Sequence, residues 1–175
     1  NPTNPYSASK AAADMIVNSY IKSYNMNITT LRANNIYGIR QYPEKLIPKT
    51  IFCLLTQKKI PIHGNGNNYR YYLSVDDFCD GVVKIIENGK LNEIYNISSD
   101  RYYKVKDVIK IIAKNLNKDF KSNIKFIKDR PFNDKIYKIN CSKLKKLNWK
   151  VKRNLINDIS IICDWYKTNI NLFTK

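Results

Sequence analysis

Tyr6 and Lys10 stand four residues apart in Asn4-Pro5-Tyr6-Ser7-Ala8-Ser9-Lys10. On a helix, that spacing puts a phenol and an ammonium one turn apart on one face. A phenol, with an ordinary pKa near 10, is a weak base at neutral pH, and a neighbouring ammonium favours its ionised form. Such a pair can take a proton from a sugar hydroxyl as hydride leaves the same carbon, and the lysine can also hold a cofactor ribose. This is general base catalysis tuned by a neighbouring charge. The spacing alone says little, because Tyr102 and Lys106 repeat it where a plain surface reading suffices. The distinguishing context is the run Pro-Tyr-Ser-Ala-Ser-Lys-Ala-Ala.

The pair needs a helix, and the sequence supplies its start. Pro5 suits a first turn, with Asn4 as the cap. Tyr6, Lys10, Ala13, Val17, Tyr20 and Tyr24 recur at steps of three and four, which predicts one stripe facing whatever the helix packs against. Asn25 and Asn27 break the pattern. Residues 28–32 read as a strand and 34–38 as the loop after it. In an open parallel sheet, such loops line the ligand crevice. Further helices are expected at 45–57 (with Pro48 in its first turn), 76–88 (capped by Asp76), 106–117, 141–147 and 157–169. Strands are expected at 60–63, 70–75, 93–97 and 124–127. Gly64-Asn65-Gly66-Asn67 is a turn signal. Helices alternating with short strands favour an α/β fold.

The chain has 175 residues, 43% of them hydrophobic, enough for one globular unit rather than a disordered segment. The formal net charge of +17 raises nucleic acid as a partner. The lysines, however, are spread over almost every segment, so a general compositional bias explains the charge. Cys53, Cys79, Cys141 and Cys163 are scattered, with no Cys-x-x-Cys and a single histidine, which argues against a metal site. Reduced thiols in a cytoplasmic protein are the expectation. No apolar run is long enough to span a bilayer, and no secretory signal is visible.

The chain resembles the carboxyl-terminal half of the nucleotide-sugar 4,6-dehydratases, in the extended short-chain dehydrogenase/reductase family. The resemblance starts with Asn4 to Lys10, Asn34-Asn35-Ile36-Tyr37-Gly38 and Tyr42-Pro43-Glu44-Lys45-Leu46-Ile47-Pro48. It continues through Pro61-Ile62-His63-Gly64, Arg70-Tyr71-Tyr72-Leu73, Tyr95-Asn96-Ile97 and Asp129-Arg130-Pro131-Phe132-Asn133-Asp134.

The resemblance implies an NAD-dependent enzyme with roles at matching positions. Tyr6 would be the proton acceptor, and Lys10 its ribose-binding partner. Ile36 would reach the nicotinamide through its backbone. Asn35 would contact the diphosphate or the sugar, and Lys45 and Leu46 would line the nucleotide-sugar pocket. Pro61, Ile62 and His63 would pack around the base and its ribose. Arg70 and Arg130 would hold the diphosphate, a task suited to a charged planar fork. Plainer readings stand beside these. Asn35 fits a turn, Pro61 a turn and His63 a strand end. Arg70 could pair with Asp76 or Asp77, and Arg130 with Asp129 or Asp134.

Two departures from the family pattern bear on the nucleotide. Dehydratases of deoxythymidine sugars typically carry a histidine at the position of Asn133 and an asparagine near Val105. The Asp-Arg-Pro-Phe-Asn-Asp block looks more like the dehydratase part of plant rhamnose synthases, which favours UDP-glucose over dTDP-glucose. The family's glycine-rich cofactor loop has no counterpart here, and its catalytic Ser/Thr and acidic pair lie before the tyrosine. The expected division is therefore a remnant of the cofactor domain at 1–40 and mostly substrate domain at 41–175, inactive alone. A homodimer of the full-length enzyme, or pairing with an amino-terminal half, is expected. The rival functions are an NDP-sugar epimerase or decarboxylase, and a basic nucleic-acid-binding module.

Overall fold

A computed structural model describes residues 2–173. It begins with α1 (Pro5–Tyr24), β1 (Thr30–Ala33), β2 (Asn35–Tyr37), α2 (Leu46–Leu55), β3 (Ile60–His63), β4 (Tyr69–Ser74) and α3 (Val75–Asn88). It continues with β5 (Ile94–Ile97), β6 (Tyr102–Lys104), α4 (Val105–Asn115), β7 (Ile124–Ile127), α5 (Ser142–Lys145) and α6 (Leu155–Asn169). The expected α/β alternation is present.

Asn4 caps α1 as its residue type suggests. Its side-chain oxygen accepts the Ser7 N–H at 2.9 Å, and the Ser7 hydroxyl accepts the Asn4 N–H at 3.2 Å. This reciprocal box satisfies donors that the first turn leaves orphaned. Asn25, left-handed at φ 50°, ends the helix. Pro48 lies in the first turn of α2, where its absent N–H costs nothing.

The strands form three small sheets. β1 pairs in parallel with β5, Thr30 opposite Ile94 through Ala33 opposite Ile97. β2 runs parallel to β4, which also pairs antiparallel with β6. β3 and β7 form the third, parallel pair. Two cores result. The larger joins α2, α4 and α6 through Ile51, Leu54, Ile109, Ile112, Ile159 and Ile162. The smaller gathers Leu73, Tyr95, Ile97, Leu144 and Trp149. In it α3 lies so near β5 that a Cβ on Gly81 would come within 2.3 Å of the Ile97 side chain. Asp77, buried beneath it, accepts the N–H groups of Lys152 and Arg153 and so pins the chain leading into α6.

Four local expectations are corrected. Residues 34–38 are not all loop, because β4 offers a free edge on which Asn35–Tyr37 form β2. The α3 cap is Ser74, whose hydroxyl accepts the Asp76 N–H at 3.2 Å, so the helix starts before Asp76. The segment 141–147 is helical only over Ser142–Lys145. Tyr102 lies in β6, which was not anticipated, so Tyr102 and Lys106 do not share a helix face. The larger correction concerns α1. Its tyrosine stripe does not face inward; Ser7, Ala11, Asp14, Val17 and Ile21 are its partly covered residues, and no α1 residue is buried.

Candidate active site

Tyr6 is 75% exposed and Lys10 is exposed, one turn apart on α1. Neither side chain makes a hydrogen bond or ion pair among the described residues. The helix is tied to β1 by Asp14, whose carboxylate meets Arg32 at 2.6 Å. The phenol and ammonium thus stand open on a helix that is anchored through Asp14, one turn beyond Lys10.

β2 carries the next two candidates. Asn35 is exposed and Ile36 half-buried. The Ile36 carbonyl accepts the Gln41 side-chain N–H at 2.7 Å. Asn34, beside them, is structural: its amide reaches the Ser98 hydroxyl at 2.9 Å and the Tyr137 carbonyl at 3.2 Å. Lys45 precedes α2 and pairs with Glu44 at 2.8 Å on the surface, holding that carboxyl below its ordinary range. Leu46 packs against the larger core.

β3 places its three candidates differently from one another. Ile62 is 1% exposed and points into the core, so its side chain cannot pack around a base, correcting that part of the expectation. Pro61 is half-buried and His63 exposed, with His63 Nδ1 3.3 Å from the Lys128 carbonyl. The following turn has Gly64 at φ +57°, where a Cβ would meet the Asp129 carboxylate at 2.6 Å. A carboxylate seated on this turn disfavours pyrophosphate there, so Gly64 and Gly66 serve a tight turn.

Arg70 forms the most developed cluster. Its Nη1 donates to the carbonyls of Tyr69 at 2.7 Å and Asp134 at 2.9 Å, and its Nη2 donates to Asn133 Oδ1 at 2.8 Å. The guanidinium also lies 4.7 Å from the centre of the Tyr137 ring. The plainer alternative, pairing with Asp76 or Asp77, does not occur among the described residues, since those carboxylates serve Arg153 and the backbone before α6. Asn133 in turn donates to Asp129 Oδ1 at 2.9 Å. That bond and the Arg130 N–H hold the Asp129 carboxyl below its ordinary range. The Arg130 side chain makes no ion pair among the described residues. Val105 is half-buried against the larger core, and its N–H donates to the Asn68 carbonyl at 3.0 Å.

Arg70, Asn133, Asp129 and His63 therefore gather where β3, β4 and the 129–137 segment meet. Tyr6 and Lys10 stand apart on α1. Tyr137 and Gln41 join the site without any sequence signal, since nothing in their local surroundings marks them. Among the described residues no helix is long and apolar enough to cross a membrane, and no cluster of metal-ligating side chains occurs.

Residues 1–160 match the family model described as GDP-mannose 4,6 dehydratase. A trifunctional UDP-glucose 4,6-dehydratase/UDP-4-keto-6-deoxy-D-glucose 3,5-epimerase/UDP-4-keto-L-rhamnose-reductase of Arabidopsis thaliana is 42% identical over 96% of this chain and 25% of its own length. A dTDP-D-glucose 4,6-dehydratase of Dictyostelium discoideum is also 42% identical, over 98% of this chain and 47% of its own. The crystal structure of a dTDP-glucose 4,6-dehydratase from Bacillus anthracis in complex with NAD superposes with a TM-score of 0.88 at 35% identity, covering 98% of this chain and 54% of that one. The chain thus spans between a quarter and about half the length of these relatives. On the motif order, the α/β topology and these matches, the chain belongs to the GDP-mannose 4,6 dehydratase family, nucleotide-sugar 4,6-dehydratases of the extended short-chain dehydrogenase/reductase fold.

Proposed function

We propose that these residues form the sugar-nucleotide half of an NAD-dependent NDP-glucose 4,6-dehydratase, which yields the NDP-4-keto-6-deoxyglucose. The observation that carries the reading is the state of Arg70. Three of its N–H groups are held by neutral oxygens, and it forms no ion pair with a carboxylate among the described residues. A guanidinium has five N–H donors, so two remain. That is a fixed seat for an anion such as a diphosphate, with Arg130 as the second cation.

Tyr6 accepts the proton of the C4 hydroxyl as C4 is oxidised, and Lys10 holds the ribose. Bound NAD supplies the acceptor, and later the donor, of the hydride. The open, unpaired Tyr6 and Lys10 suit the nicotinamide-ribose end of that cofactor, with Ile36 and Asn35 beside it on β2. The Gly64 turn does not suit its pyrophosphate. Cofactor binding at that end, and water elimination across C5 and C6, are assigned to groups outside these residues. A chain of these residues alone should therefore bind no NAD at micromolar concentration and give no product.

UDP-glucose is favoured over dTDP-glucose on the Asp129–Asp134 block and Val105, and the full-length enzyme is proposed to be a homodimer. Titration of the full-length protein with UDP, dTDP and their glucose conjugates tests both levels. Arg130→Ala should weaken all four by about 1.5–3 kcal/mol, the range for a hydrogen bond to a charged group. Unchanged binding with lower thermal stability would make Arg130 a loop anchor only. Tighter binding of dTDP-glucose by the unsubstituted protein would overturn the uridine preference alone.

A further inference from the structure

Helix α6 supplies no residue to the chemistry above, yet it reaches the site strand twice. Tyr166, 3% exposed, donates its hydroxyl hydrogen to the Gln41 carbonyl. Gln41 then donates from its side chain to the Ile36 carbonyl at 2.7 Å. Two turns earlier, buried Asp158 accepts the Tyr37 hydroxyl at 2.7 Å. Arg153 holds the same carboxylate, with Nη2 at 2.9 Å and Nε at 3.3 Å. The carboxylate therefore has a cation and a phenol as partners, and its burial is compensated. These tethers grip residues 36, 37 and 41 but leave Asn35 and Tyr6 untouched.

We infer that Tyr166, Asp158 and Gln41 are positioning residues that hold the Asn35–Gln41 segment against α6 and so set where Asn35 and the Ile36 backbone meet the reacting sugar and the nicotinamide. The inference rests on the dehydratase reading for the last step only. Hydroxyl bonds at Tyr37 and Gln41 join the end of β2 and the chain after it to α6. β2 is three residues long and paired on one side, so these bonds act together with the burial of Tyr37 in the larger core to hold it. Displacement of a reacting group by about 1 Å can cost about 10²-fold in rate, so small side chains far from the chemistry acquire leverage.

The test is made on the full-length protein with Tyr166→Phe, Gln41→Ala and Tyr37→Phe. Tyr166→Phe and Tyr37→Phe each remove a tether at unchanged packed volume, and Gln41→Ala removes the amide that holds the Ile36 carbonyl. Hydrogen exchange followed by mass spectrometry should show faster exchange in residues 35–41, with the amides of α6 as protected as before. With NDP-glucose, kcat should fall between about 10- and 100-fold. KM should stay within about twofold, because the diphosphate is held by Arg70, outside the tethers. Wild-type exchange in residues 35–41 overturns the inference. So does a uniform rise in exchange across the larger core, which would make the tethers a general brace. A drop in KM-linked affinity equal to the drop in kcat also overturns it, since it would place the tethers in ground-state binding. Should the unsubstituted protein turn over no NDP-glucose, the dehydratase reading fails, and the exchange pattern alone still decides the tethers.

Discussion

α1 and α6 divide the work of the molecule. α1 is 20 residues long and buries none of them, whereas α6 has 15 residues and buries Leu155, Asp158, Ile159, Ile162, Cys163 and Tyr166. Both are capped by asparagine, Asn4 and Asn154. α1 exposes Tyr6, Met15, Ile16, Tyr20 and Tyr24, and is bound to the rest by the Asp14–Arg32 pair. α6 lies at the centre of the larger core and carries no proposed reacting group. The proposed reacting groups therefore sit where packing among the described residues is thinnest, and the densest packing carries none of them. A group that must meet a ligand needs open surface, while a helix that fixes the geometry of others needs a buried face.

The contrast predicts opposite signatures for substitutions in the two helices. The largest effect belongs to α1. Tyr6→Phe in the full-length enzyme should lower turnover by roughly 10²–10⁴-fold, the range for losing a positioned acid–base group. Its melting temperature should not move, and Tyr102→Phe should leave turnover near wild type. Equal losses at Tyr6 and Tyr102, read as rates of keto-sugar formation, would break the assignment.

In α6 the sign of the contrast reverses. Ile159→Ala, at a residue 1% exposed, should cost about 2–5 kcal/mol of stability through lost burial and the cavity left behind. Met15→Ala on α1, at a residue 73% exposed, should change stability by about 0.5 kcal/mol or less. Urea unfolding of both variants measures the difference. A large loss from Met15→Ala would mean that another surface covers α1 in the full-length protein, and would sharpen the comparison by locating it.

The smallest expected effect concerns the caps. Asn4→Ala should cost about 1 kcal/mol, felt locally as fraying of the first turn that holds Tyr6. Hydrogen exchange of residues 7–10 would report it. Asn154→Ala should cost a similar amount spread over the whole core, because α6 cannot fray without unpacking Leu155 and Ile159. Local exchange at Asn154→Ala without a global loss would show that α6 is less coupled to the core than its burial implies.

Much of the architecture was legible in residue order. The start of α1 at Asn4-Pro5, its stop near Asn25, the helix after Lys45 with Pro48 in its first turn, and the strands at 60–63 and 94–97 all follow from local rules. So does the Gly64–Gly66 turn. The misreadings share a cause. Asn35–Tyr37 became β2 because β4 is its neighbour, and no property of three residues announces an edge 37 positions away. The α1 stripe looked inward because tyrosines and alanines repeat at helical spacing. Periodicity shows that a helix has a face without saying whether anything lies against it.

By itself the sequence determined the family, the Tyr6 and Lys10 pair one helical turn apart, and the places where helices begin and end. These depend on neighbours within about four residues: hydrogen bonds to an adjacent turn, fixed proline φ, and side chains stacked at i and i+4. Only the tertiary structure decided that Arg70 is held by neutral oxygens and that Asn133 serves it, across 63 positions. The same holds for the α6 tethers, Tyr37 to Asp158 across 121 positions and Tyr166 to Gln41 across 125. A side chain's type states what it can bond. Which partner it meets is set by how the cores bring distant segments together, and that choice has no local signature.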